Sequence, residues 1–282
     1  TTQNIRLNGW MISHNSMTKK QTFLKGTFPI IAKEASLSMT SNIALCALQY
    51  AYEFQSFEKN LETLTTLLNQ CPKHAIILCP ELCLSAYSYD KMNEAAAFTQ
   101  KILPTLKQHS LDKSFGLTLI TCKENHFFNT FMFFHKGEVK LFPLGDEESY
   151  FEAGQSESIH LFEIDGIKIA VLICFELRFP SLWEQIKGAD IVFIPAFWGE
   201  PRKTHFEVLS TALAIANQAY VMCANSADKG MAKSSGIITP FGVAKRDDNN
   251  AIITELYDEK EIKTMRRYID IGLNHHASHG SL

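Results

Sequence analysis

Three side chains in this sequence could do covalent chemistry together: a thiol, a carboxylate and an ammonium, at Cys174, Glu81 and Lys140. Cys174 ends the apolar run KIAVLIC and is followed at once by FELRFPSLW, in which Pro180 marks a helix start. That order predicts a nucleophile at a strand-to-helix turn, with the backbone N–H of Phe175 facing a developing oxyanion. Glu81 follows AIILCP, where Pro80 stops a buried strand because proline cannot donate to a central ladder. Lys140 stands on the far side of a hairpin that begins at Asn129 and turns at Lys136 and Gly137. A free thiol has a pKa of about 8.5 and burial raises it, so a working thiolate needs an adjacent base or cation. Glu81 can take the proton, and Lys140 can stabilise both the thiolate and a tetrahedral oxyanion.

Each of these residues also has an ordinary structural role open to it. A buried cysteine packs as a small hydrophobe, a hairpin lysine is solvated, and a glutamate after a strand caps or pairs. His205 reads as a structural histidine at a helix start, not as the base. CPELC has no second cysteine pair or histidine pair to match it, so no metal site is expected, and acyl transfer by a thiol, an acid and an ammonium requires no cofactor.

The elements that must position these groups are legible as short apolar runs. Strands are predicted at 43–49, 75–79, 116–121, 129–134, 159–164, 167–173, 190–194, 220–224, 235–239, 251–256 and 267–271. Helical spacing appears in SFEKNLETLTTLLNQ, KMNEAAAFTQKIL, SLWEQIKG and HFEVLSTALAIANQAYV. Strands interspersed with helices, some joined by hairpins, predict an α/β domain with mixed sheets over residues 42–273. Residues 1–41, rich in Ser, Thr, Lys and Asn, read as an N-terminal extension, and 274–282 as a disordered tail.

Hydrophobic content of 46% with 20% charge fits a packed globular chain. A net charge of -3 with scattered basic residues gives no field to hold a polyanion, so nucleic acid is not an expected partner. Seven irregularly spaced cysteines point to a reducing cytoplasm. No run approaches the roughly eighteen apolar residues of a membrane span, and the N-terminus lacks a secretory pattern. A soluble cytoplasmic protein, not processed by a secretory peptidase and without a membrane partner, is expected.

Five blocks in order resemble the nitrilase superfamily of carbon-nitrogen hydrolases: IALCALQ, CPELCLSAYSYD, LICFELRFPSLW, GADIVFIPAFW with the segment after it, and SSGIITPFGVA. The resemblance implies Cys174 as nucleophile, Glu81 as general base and Lys140 as oxyanion stabiliser. It implies a four-layer α-β-β-α sandwich with two mixed sheets, forming a homodimer or higher homo-oligomer through its helices. A second glutamate, Glu148 with Glu147 beside it as the alternative, is implied as a support for the lysine and the substrate amide. Relatives carry a longer strand ending in Tyr-Arg-Lys, whereas here Gly137 is followed only by EVK. Lys140 is favoured by its spacing to Tyr150, Phe151 and Cys174; the competing registration puts Gly145 or Asp146 at the lysine position. Leu213 and Ala216 stand where relatives have an arginine and a glutamate.

The residues around the cysteine sort the superfamily's branches. CFELRF is closer to the ω-amidases and N-carbamoyl hydrolases than to nitrile hydrolases, which resemble Cys-Trp-Glu-His there. In that branch Arg178 is implied as a grip for a substrate carboxylate, a group its guanidinium fork fits; a pair with Glu176 or another acid is the alternative. The substrate expected is a small linear amide bearing a remote carboxylate. An N-carbamoyl amine and a non-catalytic scaffold are the rivals.

Overall fold

The structure, a computed structural model, describes residues 43–143 and 161–273. In chain order its strands are β1 (Ala44–Leu48), β2 (Ile76–Leu78), β3 (Ser114–Lys123), β4 (His126–His135), β5 (Glu138–Pro143), β6 (Phe162–Ile164), β7 (Ile167–Val171), β8 (Ile191–Pro195), β9 (Tyr220–Ala224), β10 (Gly236–Ile238), β11 (Ala244–Arg246) and β12 (Ile252–Leu256). They form two six-stranded sheets, ordered β12-β1-β2-β3-β4-β5 and β11-β10-β9-β8-β7-β6. Each sheet has a parallel centre, β1-β2-β3 in one and β7-β8-β9 in the other, extended by antiparallel strands. Parallel strands are covered on both faces, which is why the central runs are apolar throughout and do not alternate with polar residues.

Five helices join them: α1 (Phe57–Gln70), α2 (Met92–His109), α3 (Pro180–Gln185), α4 (Lys203–Asn217) and α5 (Glu259–Tyr268). Helix α1 starts where the Ser56 side chain accepts the Lys59 N–H, and it buries Phe57, Leu64, Leu67 and Leu68 along one stripe. Three apolar layers follow from the alternation along the strands. Leu64, Leu68, Phe98 and Ile102 meet Cys46, Ile77, Leu117 and Phe134 of the first sheet. The opposite face of that sheet, with Leu45, Leu78, Phe131 and Phe133, meets Ile169, Ile191, Phe193 and Met222 of the second. Behind the second sheet, Ala170, Val192 and Val221 pack on Phe206, Leu213 and Ala214 of α4. Three apolar layers make four structural ones, an α-β-β-α sandwich.

Two elements differ from the sequence reading. The strand expected at 267–271 is instead the end of α5, with Tyr268 its last residue. Asp258 caps that helix through the Lys260 N–H, Ile262 is buried, and Arg266 bonds Asp190, so helical anchoring outweighs the β-like composition of the last residues. Strand β11 is short and largely exposed, and no alternation marked it. The expected extension 1–41 and tail 274–282 lie outside the described residues.

Candidate active site

Ligand sites in α/β sheets gather outside the carboxyl ends of parallel strands. Here β2 delivers Glu81 there, β7 delivers Cys174, β8 delivers Trp198 and β9 delivers Asn225. Main-chain bonds tie these ends across the two sheets: the Glu81 N–H donates to Ala196 O at 3.3 Å, and the Ala196 N–H to Ala224 O at 2.8 Å. Glu81 is 2% exposed, and its carboxylate Oε1 accepts from Asn129 Nδ2 at 2.9 Å. The next residue, Leu82, is left-handed at φ +45° and donates its N–H to Thr118 Oγ1, which locks the turn that presents the acid.

Cys174 sits in a comparable turn. It is left-handed at φ +48°, half-buried, and opens the short 3-10 segment Cys174–Arg178. A non-glycine residue in this conformation costs on the order of 1–3 kcal/mol and persists only where its surroundings over-determine it. Glu176 does so, its Oε2 accepting the Ile173 N–H at 2.6 Å. Burial pushes the Glu176 carboxyl up to about 7, against the pull of that hydrogen bond.

Tyr52 lies near both turns. Its hydroxyl donates to Glu81 O at 2.5 Å, and its ring stacks at a tilt on Phe197, 5.8 Å between centroids. Burial first, then the electrostatic influence of Cys83, Glu81, Asp228 and Cys174, raise the phenol well above its ordinary pKa, so it remains a neutral donor. Buried Asp228 holds the Tyr52 segment by accepting the N–H groups of Tyr52 and Glu53 and the hydroxyl of Ser226. Sequence reasoning missed Asn129, Tyr52 and Asp228. Asn129 carried a signal: it is a polar residue inside FFNTFMFF, two and four positions before Phe131 and Phe133 and so on the face between the sheets.

The structure does not bring Lys140 to this pair. The hairpin turns where expected, with Lys136 and Gly137 both at positive φ, and its register sets Lys140 opposite Phe133 and Pro143 opposite Thr130. Asn129, at the level of Glu81, lies four residues from Phe133, about 13 Å along the strand. Lys140 Nζ is exposed, donating to Glu163 O at 3.3 Å and lying 5.8 Å from the Phe162 ring centroid. Glu163 in turn pairs with Lys168, six residues before Cys174 and roughly 20 Å away along an extended chain. Lys140, expected to stabilise the oxyanion, is thus engaged with Glu163 in this register. Residues 144–160 contain no lysine or arginine. Gly145, Asp146, Glu147 and Glu148 lie outside the described residues.

Arg178 is exposed, with its guanidinium 4.5 Å from the Trp198 ring centroid and Nη2 3.4 Å from His205 Nδ1. It does not pair with Glu176. Among the described residues no cluster of three or more His, Cys, Asp or Glu side chains could hold a metal.

A left-handed turn carrying a half-buried thiol and a turn carrying a buried carboxylate thus lie at the carboxyl ends of the two parallel sheet centres of an α-β-β-α sandwich. The carbon-nitrogen hydrolase profile matches residues 42–271, and the chain belongs to that family. By that membership it is a hydrolase of carbon-nitrogen bonds. It is similar to the 2-oxoglutaramate amidase of Bacillus subtilis (strain 168), 29% identical over 250 residues that cover 80% of this chain and 95% of the Bacillus protein. The omega-amidase YafV of Escherichia coli (strain K12) is 33% identical over 135 residues, 45% of this chain and 51% of that protein. The fold matches that of XC1258 from Xanthomonas campestris, a CN-hydrolase superfamily protein, with a TM-score of 0.72 and 17% identity over 81% of this chain and 95% of that one. No helix among the described residues is long and apolar enough to cross a membrane.

Proposed function

We propose that the protein hydrolyses the carboxamide of a small linear ω-amide through a thioester on Cys174. The observation that carries this reading is the pair of left-handed turns at the strand ends, one presenting a buried carboxylate and the other a half-buried thiol, both near Tyr52. Glu81 takes the thiol proton, and the Cys174 sulfur attacks the amide carbon. The C–N bond breaks, ammonia leaves with the proton from Glu81, and an acyl thioester remains. Water, deprotonated by Glu81, then attacks the thioester, releasing the carboxylic acid and restoring the thiol. The oxyanion is met by the Phe175 N–H at the start of the 3-10 segment, where first-turn N–H groups lack an intrahelical partner.

A remote substrate carboxylate is held by the Arg178 guanidinium, whose stacking on Trp198 fixes its plane while leaving donors exposed. The amidase names of the relatives favour an ω-amide over an N-carbamoyl amine. Glu148 remains the proposed support for the substrate amide. All seven cysteines are free thiols, which supports a reducing, cytoplasmic setting. Exposed Val208 and Ile215 on α4, with Phe241 and Val243 also exposed, support a homodimer through that helix. Residues 1–41 stand as an extension outside the catalytic domain 42–273.

Cys174→Ala is expected to abolish ammonia release from every amide the wild type turns over while leaving the thermal melt in place. Turnover that survives in the variant sinks the nucleophile assignment. One observation favours a second reading, a member whose hydrolytic step is impaired: Lys140 is engaged elsewhere and residues 144–160 supply no lysine or arginine. Losing one oxyanion donor slows such reactions by on the order of a hundred- to a thousandfold. Weak turnover across ω-amide, N-carbamoyl and nitrile panels, with a reactive Cys174, would identify that state.

A further inference from the structure

Asn129 is 3% exposed, near the start of β4, and faces the space between the sheets. Its Nδ2 donates to Glu81 Oε1 at 2.9 Å, which fixes the carboxamide's orientation, since turning it over would set one acceptor oxygen against another. Oδ1 therefore points away from Glu81 Oε1, and it has no hydrogen-bond partner among the described residues. A buried amide oxygen left without a donor costs about 1–3 kcal/mol, whereas a leucine of similar volume would carry no such cost. The neighbouring threonine hydroxyl is not the missing donor, because Thr130, one residue on in the strand, points to the opposite face of the sheet, where it lies 2.6 Å from Thr121 Oγ1.

The donor this oxygen awaits must reach it beside the carboxylate that handles the leaving group. A primary carboxamide nitrogen has two N–H groups, one for the acid and one for a second acceptor. An ester has neither, and a nitrile has none before attack. We propose that Asn129 Oδ1 accepts an N–H of the substrate's carboxamide and so makes the site selective for primary amides. This rests on the reading that Cys174 is acylated by an amide beside Glu81. The bond persists through the reaction, because the departing ammonia keeps N–H groups after Glu81 protonates it. Asn129 thus touches the leaving group and at the same time holds Glu81 in place.

The test separates these two roles without requiring turnover. Cys174 is alkylated with 2-chloroacetamide and with methyl chloroacetate, and the rates are read by mass spectrometry of its peptide. Exposed Cys122 on the same chain serves as the reference thiol. In the wild type the amide-to-ester rate ratio at Cys174 is expected to exceed that at Cys122 by roughly tenfold, the size of one good hydrogen bond. Asn129→Leu is expected to bring the two ratios together. Asn129→Asp, which keeps an acceptor oxygen, is expected to retain most of the preference. A wild type with no preference, or a leucine variant in which both rates fall by one factor and the ratio stands, overturns the proposal. The wild-type comparison needs no variant to fold. Ammonia release measured in parallel reports on the hydrolase reading itself: a preserved labelling preference with no amide turnover would leave Asn129 as an amide-binding residue and remove the hydrolytic step.

Discussion

The carboxyl ends of the parallel strands and the antiparallel ribbon β4-β5 carry the same kind of cargo, a reactive side chain, under different rules. At the end of β2 or β7 the last strand residue is set by the apolar run, and the next residue must turn outward. Glu81 and Cys174 therefore arrive at one rim of the sandwich, each in or beside a left-handed turn. Along the ribbon, position is set by the turn at Lys136 and Gly137, and every residue counted from it moves about 3.3 Å. Lys140 lies only three residues past that turn, so it stays far from the rim. Strand ends fix chemistry by where burial stops; hairpins fix it by where the chain reverses.

The largest effect expected from breaking this comparison is at the rim. Glu81→Gln keeps the Asn129 contact nearly isosteric but removes the base, and the acylation rate is expected to fall by on the order of a thousandfold. A fall of less than tenfold, measured in single turnover, would show that the thiol finds its base elsewhere. A smaller effect is expected at Glu176, which pins the thiol turn through Ile173. Because burial lifts its carboxyl to about 7, the neutral form is the one the fold prefers. The stability linked to that shift is present below the ordinary carboxylate range and is lost as pH rises toward and through 7. Glu176→Gln should therefore gain on the wild type between pH 4.5 and 7.5, by on the order of 2 kcal/mol. Thermal melts that stay parallel over that range would contradict the assignment.

The same contrast explains what could be read from the residues alone. AIILCP and KIAVLIC announce buried strands, and the groups after them had to lie at a strand end, so Glu81 and Cys174 were legible. The layers were legible too, because the central runs are apolar on both faces. Lys140 was less legible, because its one-dimensional spacing to Cys174 suits the family, while hairpin register, a two-dimensional quantity, sets it opposite Phe133. Asn129 and Tyr52 were missed for another reason. Their partners, Glu81 Oε1 and Glu81 O, lie 48 and 29 positions away in the chain, and nothing local to either residue reveals such contacts. The end of α5 was misread because β-like residues close a helix whose hold on the body comes from Ile262 and Arg266.

The most direct measurement compares initial ammonia release from 2-oxoglutaramate, or the best amide of an ω-amide panel, for the wild type and Lys140→Ala. Lys140 makes one exposed bond to a backbone carbonyl, so its removal is expected to leave the rate within twofold and stability within about 0.5 kcal/mol. A loss of a hundredfold or more in Lys140→Ala, with the fold intact, would show that the ribbon does deliver its ammonium to the rim and that the strand-end pair does not act without it.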